Sequence, residues 1–171
     1  MENFEPGQPN VVAKPARPVF LTVLCILTFI GSGWGIISGI SSYLTANTAA
    51  GVAQAAMQDA KEKLEDEGNT GSRLAEKMLS GTSEMLQPAN IKKSALFSIV
   101  ASVFTLLGAI LMFGLKKAGF YSYLLGTVIS IAGPFIAFGG GNFLTIITSS
   151  AIAFIGILFV VLYGLNVKHL R

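Results

Sequence analysis

The stretch FLTVLCILTFIGSGWGIISGISSY, residues 20–43, decides the fold of this chain. It contains no charged residue, and as a helix it would be about 36 Å long, enough to cross the roughly 30 Å hydrocarbon core of a bilayer. The sequence therefore predicts a first transmembrane helix. Gly31, Gly35 and Gly39 recur every fourth residue, so they share one helical face where a second helix can approach closely.

Three further uncharged apolar stretches occupy residues 94–115, 119–138 and 144–165. The connections between them, 116–118 and 139–143, are short, and short connections join neighbouring antiparallel helices. We therefore expect an all-α integral membrane four-helix bundle. Its chain order is one span, an extramembrane helical loop and then three closely connected spans.

The composition excludes a soluble nucleic-acid-binding domain. Of the 171 residues 52% are hydrophobic and 12% are charged, whereas soluble domains carry about 25% charged residues. The net charge of +3 comes from short clusters beside the spans, and nucleic acid would need a basic face along one soluble element. A single cysteine cannot form an internal disulfide, so Cys25 is interpreted as a small packing residue.

Residues 44–93 differ from the rest of the chain because they contain no aromatic residue and are rich in Ala, Glu, Lys, Gln and Met. Helix propensity is high over 49–67, Gly68 is suited to end that helix, and Ser72 is suited to cap a second one over 73–87. The facing residues are expected to be Val52, Ala56, Ala60 and Leu64 with Leu74, Met78 and Met85. The sequence predicts a helical hairpin outside the membrane, and its continuity with the spans stays open. The alternative is a loop that is disordered until a partner binds.

The flanking charges predict the orientation. The bases on the side of the two termini are Lys14, Arg17, Lys116, Lys117, Lys168 and Arg171, and those beside a span on the other side are Lys92 and Lys93. This excess predicts that both termini are cytoplasmic and that the loop is periplasmic or extracellular. If every base in the 44–93 loop is counted, each side of the membrane carries six bases, and this count favours neither orientation. Phe120, Tyr121 and Tyr123 are interpreted as an interfacial aromatic belt.

The two ends of the chain are interpreted as tails. Residues 1–19 contain four prolines among polar residues, which is typical of a disordered N-terminal tail. Residues 166–171 form a short basic C-terminal tail.

Two stretches carry a resemblance. RPVFLTVLCILTFIGSG (17–33) and LKKAGFYSYLLG (115–126) are similar to stretches of uncharacterised small bacterial four-span inner-membrane proteins. The resemblance implies the same topology and a bacterial inner membrane. That family has no assigned activity, so the resemblance implies no site residue.

Residue types that carry catalysis or metal binding are scarce. The four predicted spans contain no ionisable acid or base, which argues against a proton-coupled transporter. His169, the only histidine, stands in the C-terminal tail, and the carboxylates of 62–67 are interpreted as the solvated face of a helix. We expect no enzyme activity, no cofactor and no metal.

Small residues at helical spacing are the remaining candidates, as helix-packing positions. They are Gly31, Gly35 and Gly39 in the first span, Ser98 and Ser102 in the second, Gly126 and Ser130 in the third, and Ser149 and Ala153 in the fourth. Such residues let helices approach and let hydroxyls bond across the interface. The glycine groove is filled either by the chain's own spans or by a second subunit or a different protein.

Two functions are compatible with these features. The first is a non-enzymatic structural or accessory subunit that assembles in the bilayer through small-residue helix faces, as a homo-oligomer or with another membrane protein. The alternative is a passive pore or carrier for a small neutral or lipid-like molecule.

Overall fold

A computed structural model describes residues 18–65, 70–140 and 143–170, and every regular element in these ranges is helical. The elements are α1 (Val19–Glu65), α2 (Thr70–Met85), α3 (Pro88–Phe113), α4 (Ala118–Phe138), α5 (Phe143–Asn166) and a 3₁₀ turn (Val167–His169). Helices α1, α3, α4 and α5 are long and apolar enough to cross a membrane. The expected all-α membrane bundle is confirmed, and the chain is an integral membrane protein. The predicted tail over 1–17 and the predicted helix end at Gly68 lie outside the described residues.

Helix α1 is one unbroken element of 47 residues, about 70 Å long. It contains the predicted first span and then continues through the Ala-, Gln- and Lys-rich segment that follows. No proline interrupts this stretch, and the boundary between lipid and water does not itself end a helix. The first span and the first hairpin helix are therefore a single rod.

Helix α2 returns beside α1, and it begins and ends slightly earlier than expected. Because it begins at Thr70, Ser72 lies inside the helix and is not its cap. It ends at Met85, and Pro88 then occupies the first turn of α3, where a missing N–H costs nothing. The predicted second span thus gains a further turn and a half before residue 94.

The contact face between α1 and α2 matches the expected one only in part, since Ala60 and Met85 are half-buried as expected. The side chains of Leu64 and Leu74 lie outside the described residues. Val52 is 70% exposed and Ala56 is exposed. The half-buried positions of this segment of α1 are Ala53, Met57 and Ala60, after the buried Ala46 and Ala50, and those of α2 include Ala75, Leu79 and Thr82. These positions alternate steps of three and four, which keeps a stripe on one face, whereas a strict step of four drifts around the helix.

The membrane part is organised around α3. Helix α3 packs most extensively against α4 and then against α1, α4 packs against α5, and α1 touches α5 only over a small area. The order across the bundle is therefore α1, α3, α4, α5, with a weak contact between the first and the last.

A tight turn joins α3 to α4. Lys116 N–H donates to Leu111 O and Leu115 N–H donates to Met112 O, both at 2.9 Å, which is the Schellman pattern of a helix end. Leu115, and not the adjacent Gly114, takes the left-handed conformation, with φ 61°. Its side chain packs against the apolar core, and that contact offsets the cost of a left-handed leucine.

The bundle divides into two halves along its length. The terminal half consists of residues 19–30, 104–113, 118–127 and 155–166, and the distal half of residues 31–43, 92–103, 128–138 and 143–154. The fully packed core lies at the terminal end and contains Leu21, Leu24, Cys25, Met112, Tyr123, Tyr163 and Leu170. Leu170 belongs to the segment interpreted as a tail, yet it is buried. Large apolar side chains such as Trp34 and Phe154 point outward, as expected of a lipid-facing surface.

Candidate functional site

The closest helix contact is between α3 and α4, and glycines make it. A Cβ built on Gly119 would lie 2.6 Å from Gly108 O and 2.6 Å from Met112 N. One built on Gly126 would lie 2.8 Å from the backbone N of Thr105, and one on Gly133 would lie 2.8 Å from Phe97 Cβ. No side chain larger than hydrogen fits at these distances, so the backbones of α3 and α4 touch directly.

Of these glycines, only Gly126 was among the positions selected from the sequence. Gly119, Gly126 and Gly133 recur every seventh residue, which is about two helical turns and keeps them on one face. A pattern of four-residue spacing does not include Gly119 and Gly133, although the sequence contains the seven-residue pattern.

The groove on α1 meets α3 of the same chain at two of its three glycines. A Cβ on Gly35 would overlap Ser102 Oγ, and one on Gly39 would lie 2.6 Å from Ile99 Cγ1. At Gly31 the same construction meets nothing within 4 Å. Gly31 therefore faces open space where the other two glycines face a neighbouring helix.

Hydroxyl groups link the spans in the interior. Thr28 Oγ1 and Tyr163 OH lie 2.7 Å apart and join α1 to α5. Ser32 Oγ lies 2.8 Å from Thr105 Oγ1 and joins α1 to α3. Such bonds between membrane helices contribute about 0.6 kcal/mol each on average. They hold the outer helix α1 against both of its neighbours.

Further hydroxyls bond to backbone carbonyl groups. Thr105 Oγ1 donates to Ser102 O at 3.0 Å, and Ser122 Oγ donates across from α4 to Phe104 O at 3.0 Å. A donating Thr105 leaves Ser32 as the donor in the bond between their hydroxyls.

Tyr123 is buried, with 6% of its surface exposed, and its ring centroid lies 4.8 Å from that of Tyr163. The interpretation of Tyr123 as part of an interfacial belt is therefore wrong. It lies one turn from Gly119, on the face of α4 that packs against α3. Tyr121, two positions earlier, is 70% exposed, because a helix turns about 100° per residue.

Two buried hydroxyls of α5 make no hydrogen bond in the described part of the chain. They are Thr145 Oγ1 and Ser149 Oγ, on residues that are 0% and 1% exposed. An unpaired buried hydroxyl costs about 1–3 kcal/mol. Ala153, predicted on the same stripe, is half-buried one turn further along α5.

Cavities lie between the spans in the described part of the chain, and three of them bear on the site. The first, which we name the α1–α5 cleft, has a volume of about 190 Å³ and is lined by Leu27, Thr28, Gly31, Ser32, Thr105, Tyr123, Ile155 and Phe159. The second and third, which we name the serine cavities, have volumes of about 180 and 210 Å³ and share Ser94 and Ser98. The predicted positions Ser98, Ser102 and Ser130 line them together with Ser38 and Ser42. Ser149 and Ala153 are not among their lining residues.

The chemistry of this interior is neutral hydrogen bonding. Within the ranges that the structure describes, no group of three His, Cys, Asp or Glu side chains is placed to hold a metal ion. The hydroxyls of serine, threonine and tyrosine can donate and accept. The arrangement can bind an uncharged polar group, and it can hold helices together.

Compared with protein families, with curated proteins and with solved structures, the chain shows no match. The fold and the site define a class, that of small multi-pass helical membrane proteins. The resemblance to uncharacterised bacterial four-span proteins stays a prediction.

Proposed function

We propose that this chain is a non-enzymatic accessory subunit of a membrane complex, with the α1–α2 hairpin as the surface offered to a partner. The observation that carries the proposal is the continuity of α1 from Val19 to Glu65. A helix without a break joins the bundle in the bilayer to the hairpin outside it. The bundle then serves as the anchor, and the hairpin stands at a fixed angle to it.

The small-residue faces serve the anchor in this proposal. Gly35 and Gly39 contact α3 in the same chain, so they are not free to receive another protein. This supports a partner contact on the hairpin, where Val52 is largely exposed and Met78 is 41% exposed. Exposed apolar side chains on a water-facing segment favour a protein contact. The partner is a second copy of this chain or another membrane protein.

We propose that both termini face the cytoplasm of a bacterial cell and that the hairpin lies in the periplasm. The support is the excess of Lys and Arg on the terminal side. Single cysteines in place of Lys117 and Asp59, reacted with a membrane-impermeant maleimide on intact cells, test this. Cys25 is buried, so the natural cysteine gives little background. Labelling at 59 without labelling at 117 is expected, and the opposite pattern reverses the topology.

The test of the accessory role is the mass and composition of the complex extracted gently from its native membrane. We expect a second protein, or a second copy, in fixed stoichiometry. Val52→Lys should release it, whereas Gln54→Lys, which adds the same charge at an exposed position about 200° around the helix, should not. A monomer without a second protein contradicts the proposal.

The serine cavities favour a second candidate function, a passive pathway for a small neutral molecule. The two cavities adjoin at Ser94 and Ser98, and Ser102 and Ser130 line one of them. Protein reconstituted into vesicles should then pass water or small polyols, and Ser98→Leu should reduce the flux. Absence of flux for ions, water and polyols contradicts this candidate.

A further inference from the structure

The α1–α5 cleft opens toward the lipid. Helices α1 and α5 touch only over a small area, and Thr28 and Tyr163 join them in the terminal half. Next to this bond, Gly31 faces open space. Leu27 and Ile155 line the cleft and are 50% and 58% exposed. Because the outer surface at these positions is apolar, the molecules that reach the cleft come from the bilayer.

The wall of the cleft is polar at a depth where membranes contain few polar groups. Thr28 lies about 14 Å along α1 from Val19, close to the middle of a roughly 30 Å hydrocarbon core. Its hydroxyl bonds to those of Tyr163 and Tyr123, and Tyr163 also bonds to Cys25. The hydroxyl hydrogens therefore have partners inside the bundle, and what the wall still offers a ligand is oxygen lone pairs that accept a hydrogen bond. Ser32 and Thr105 add two further hydroxyls to the lining.

The depth and the charge restrict the occupant. The headgroup and ester groups of a phospholipid lie at the interface, so only its alkyl chain reaches Thr28, and an alkyl chain offers these hydroxyls no partner. Neither span that borders the cleft, 20–43 or 144–165, contains an acid or a base. A charged ligand group would therefore have no counter-charge there.

Ser32 and Thr105 likewise donate within the bundle, so the polar group of a ligand must itself be a donor. We infer that the α1–α5 cleft binds an uncharged lipid-like molecule whose polar group is a hydroxyl. The apolar part lies against Leu27, Ile155 and Phe159, and the polar group reaches Thr28 and Ser32. This site is separate from the hairpin surface and from the serine cavities, and it stands whether or not the protein binds a partner or passes a solute.

Trp34 provides a natural reporter for this site. It is the only tryptophan and lies one helical turn from Gly31 on α1. A bromine-substituted decanol has one hydroxyl donor and no charge, and its bromine quenches tryptophan fluorescence. Titration of the full chain in detergent micelles should show a saturable quench above the linear quench that partition into micelles produces. Decanol should displace the brominated alcohol, and decane should not, because decane lacks a hydroxyl.

Two matched variants locate the site. Gly31→Leu fills the cleft and should weaken the saturable quench by about tenfold or more, because the new side chain occupies the ligand volume. Gly33→Leu makes the same change on the same helix, where a Cβ also meets nothing within 4 Å, but it lies outside the cleft lining. It should leave the quench unchanged. Ile155→Phe narrows the mouth from α5 without adding a second tryptophan and should weaken the quench as Gly31→Leu does.

The proposal is overturned if the natural chain shows only the linear quench, or if Gly31→Leu and Ile155→Phe, both with unchanged helix content, retain its saturable part. Equal displacement by decanol and decane would overturn the assignment of a polar ligand group.

Discussion

The two halves of the membrane bundle are packed in different ways. The terminal half buries large side chains, among them Leu21, Met112 and Tyr163, in one continuous core. The buried residues of the distal half are small, for example Ala95, Ala137 and Ser149, and the serine cavities lie among its helices. Both halves belong to the same four helices, so the difference lies in side-chain volume and in how far apart the helices stand.

This contrast shows what holds a membrane bundle together. Lipid is as apolar as a leucine side chain, so burying apolar area gives little driving force between spans, and close packing and hydrogen bonds must supply it. The terminal half has both, with the Thr28–Tyr163 hydrogen bond beside its aromatic core. The distal half has direct contact between helices at Gly35, Gly39 and Gly133, but the hydroxyls of Thr145 and Ser149 have no hydrogen-bond partner among the described residues. We therefore expect the distal half to open more easily.

The largest expected effect comes from separating α3 and α4, which run through both halves. Gly126→Leu places a side chain where a Cβ alone would lie 2.8 Å from Thr105 N and 2.9 Å from Ala101 O. Backbone atoms cannot move aside as flexible side chains do, so the loss of stability should reach about 3 kcal/mol or more. Thermal unfolding in detergent, followed by the helical signal in circular dichroism, measures it.

Gly164→Leu is the matched control for this experiment. It inserts the same side chain into a span, at a position where a Cβ meets nothing within 4 Å. We expect unfolding close to that of the natural chain. Equal destabilisation by both variants would mean that glycine is required for helix flexibility and not for the contact between α3 and α4.

The spans could be predicted from the sequence because an uncharged apolar run of this length has one physical solution in a bilayer, a helix. The exact ends of these helices could not be predicted as well. Helix α3 begins at Pro88, six residues before the predicted span, because its first turns lie outside the apolar run. The sequence also did not predict whether α1 continues beyond residue 43. The same residues are compatible with one continuous helix and with a separate helix that begins outside the membrane.

The candidate site was predicted only in part. Four-residue spacing found Gly35 and Ser102, which meet in the structure, but spacing on one helix does not state which helix faces it. Tyr123 was missed because a tyrosine near two lysines is also typical of an interface. Its burial depends on α4 lying directly on α3, and that contact follows from glycines seven residues apart.

Replacing a buried threonine by valine should change the stability of the protein in opposite directions in the two halves. Thr145→Val removes a buried hydroxyl that has no partner in the described part of the chain and keeps the side-chain shape. The variant should be about 1 kcal/mol more stable, because the cost of the unpaired group disappears. Thr28→Val, the counterpart in the terminal half, should lose stability. Urea or detergent unfolding of the two variants beside the natural chain gives both signs, and a loss at Thr145 would show that its hydroxyl has a partner in the membrane.

The smallest effect expected is the coupling between Thr28 and Tyr163, whose oxygens lie 2.7 Å apart. Thr28→Val and Tyr163→Phe each remove one hydroxyl, and the double variant removes both. Hydrogen bonds between membrane helices average about 0.6 kcal/mol and reach about 1.7 kcal/mol, so the coupling should fall in that range. Cys25 of α1 also bonds to the Tyr163 hydroxyl, and the double-variant cycle separates the Thr28–Tyr163 pair from that contact. A coupling of zero would mean that the Thr28–Tyr163 bond adds nothing to the packing of the aromatic core. A coupling in the expected range would show that hydrogen bonding as well as packing holds the two outer helices together in the terminal half.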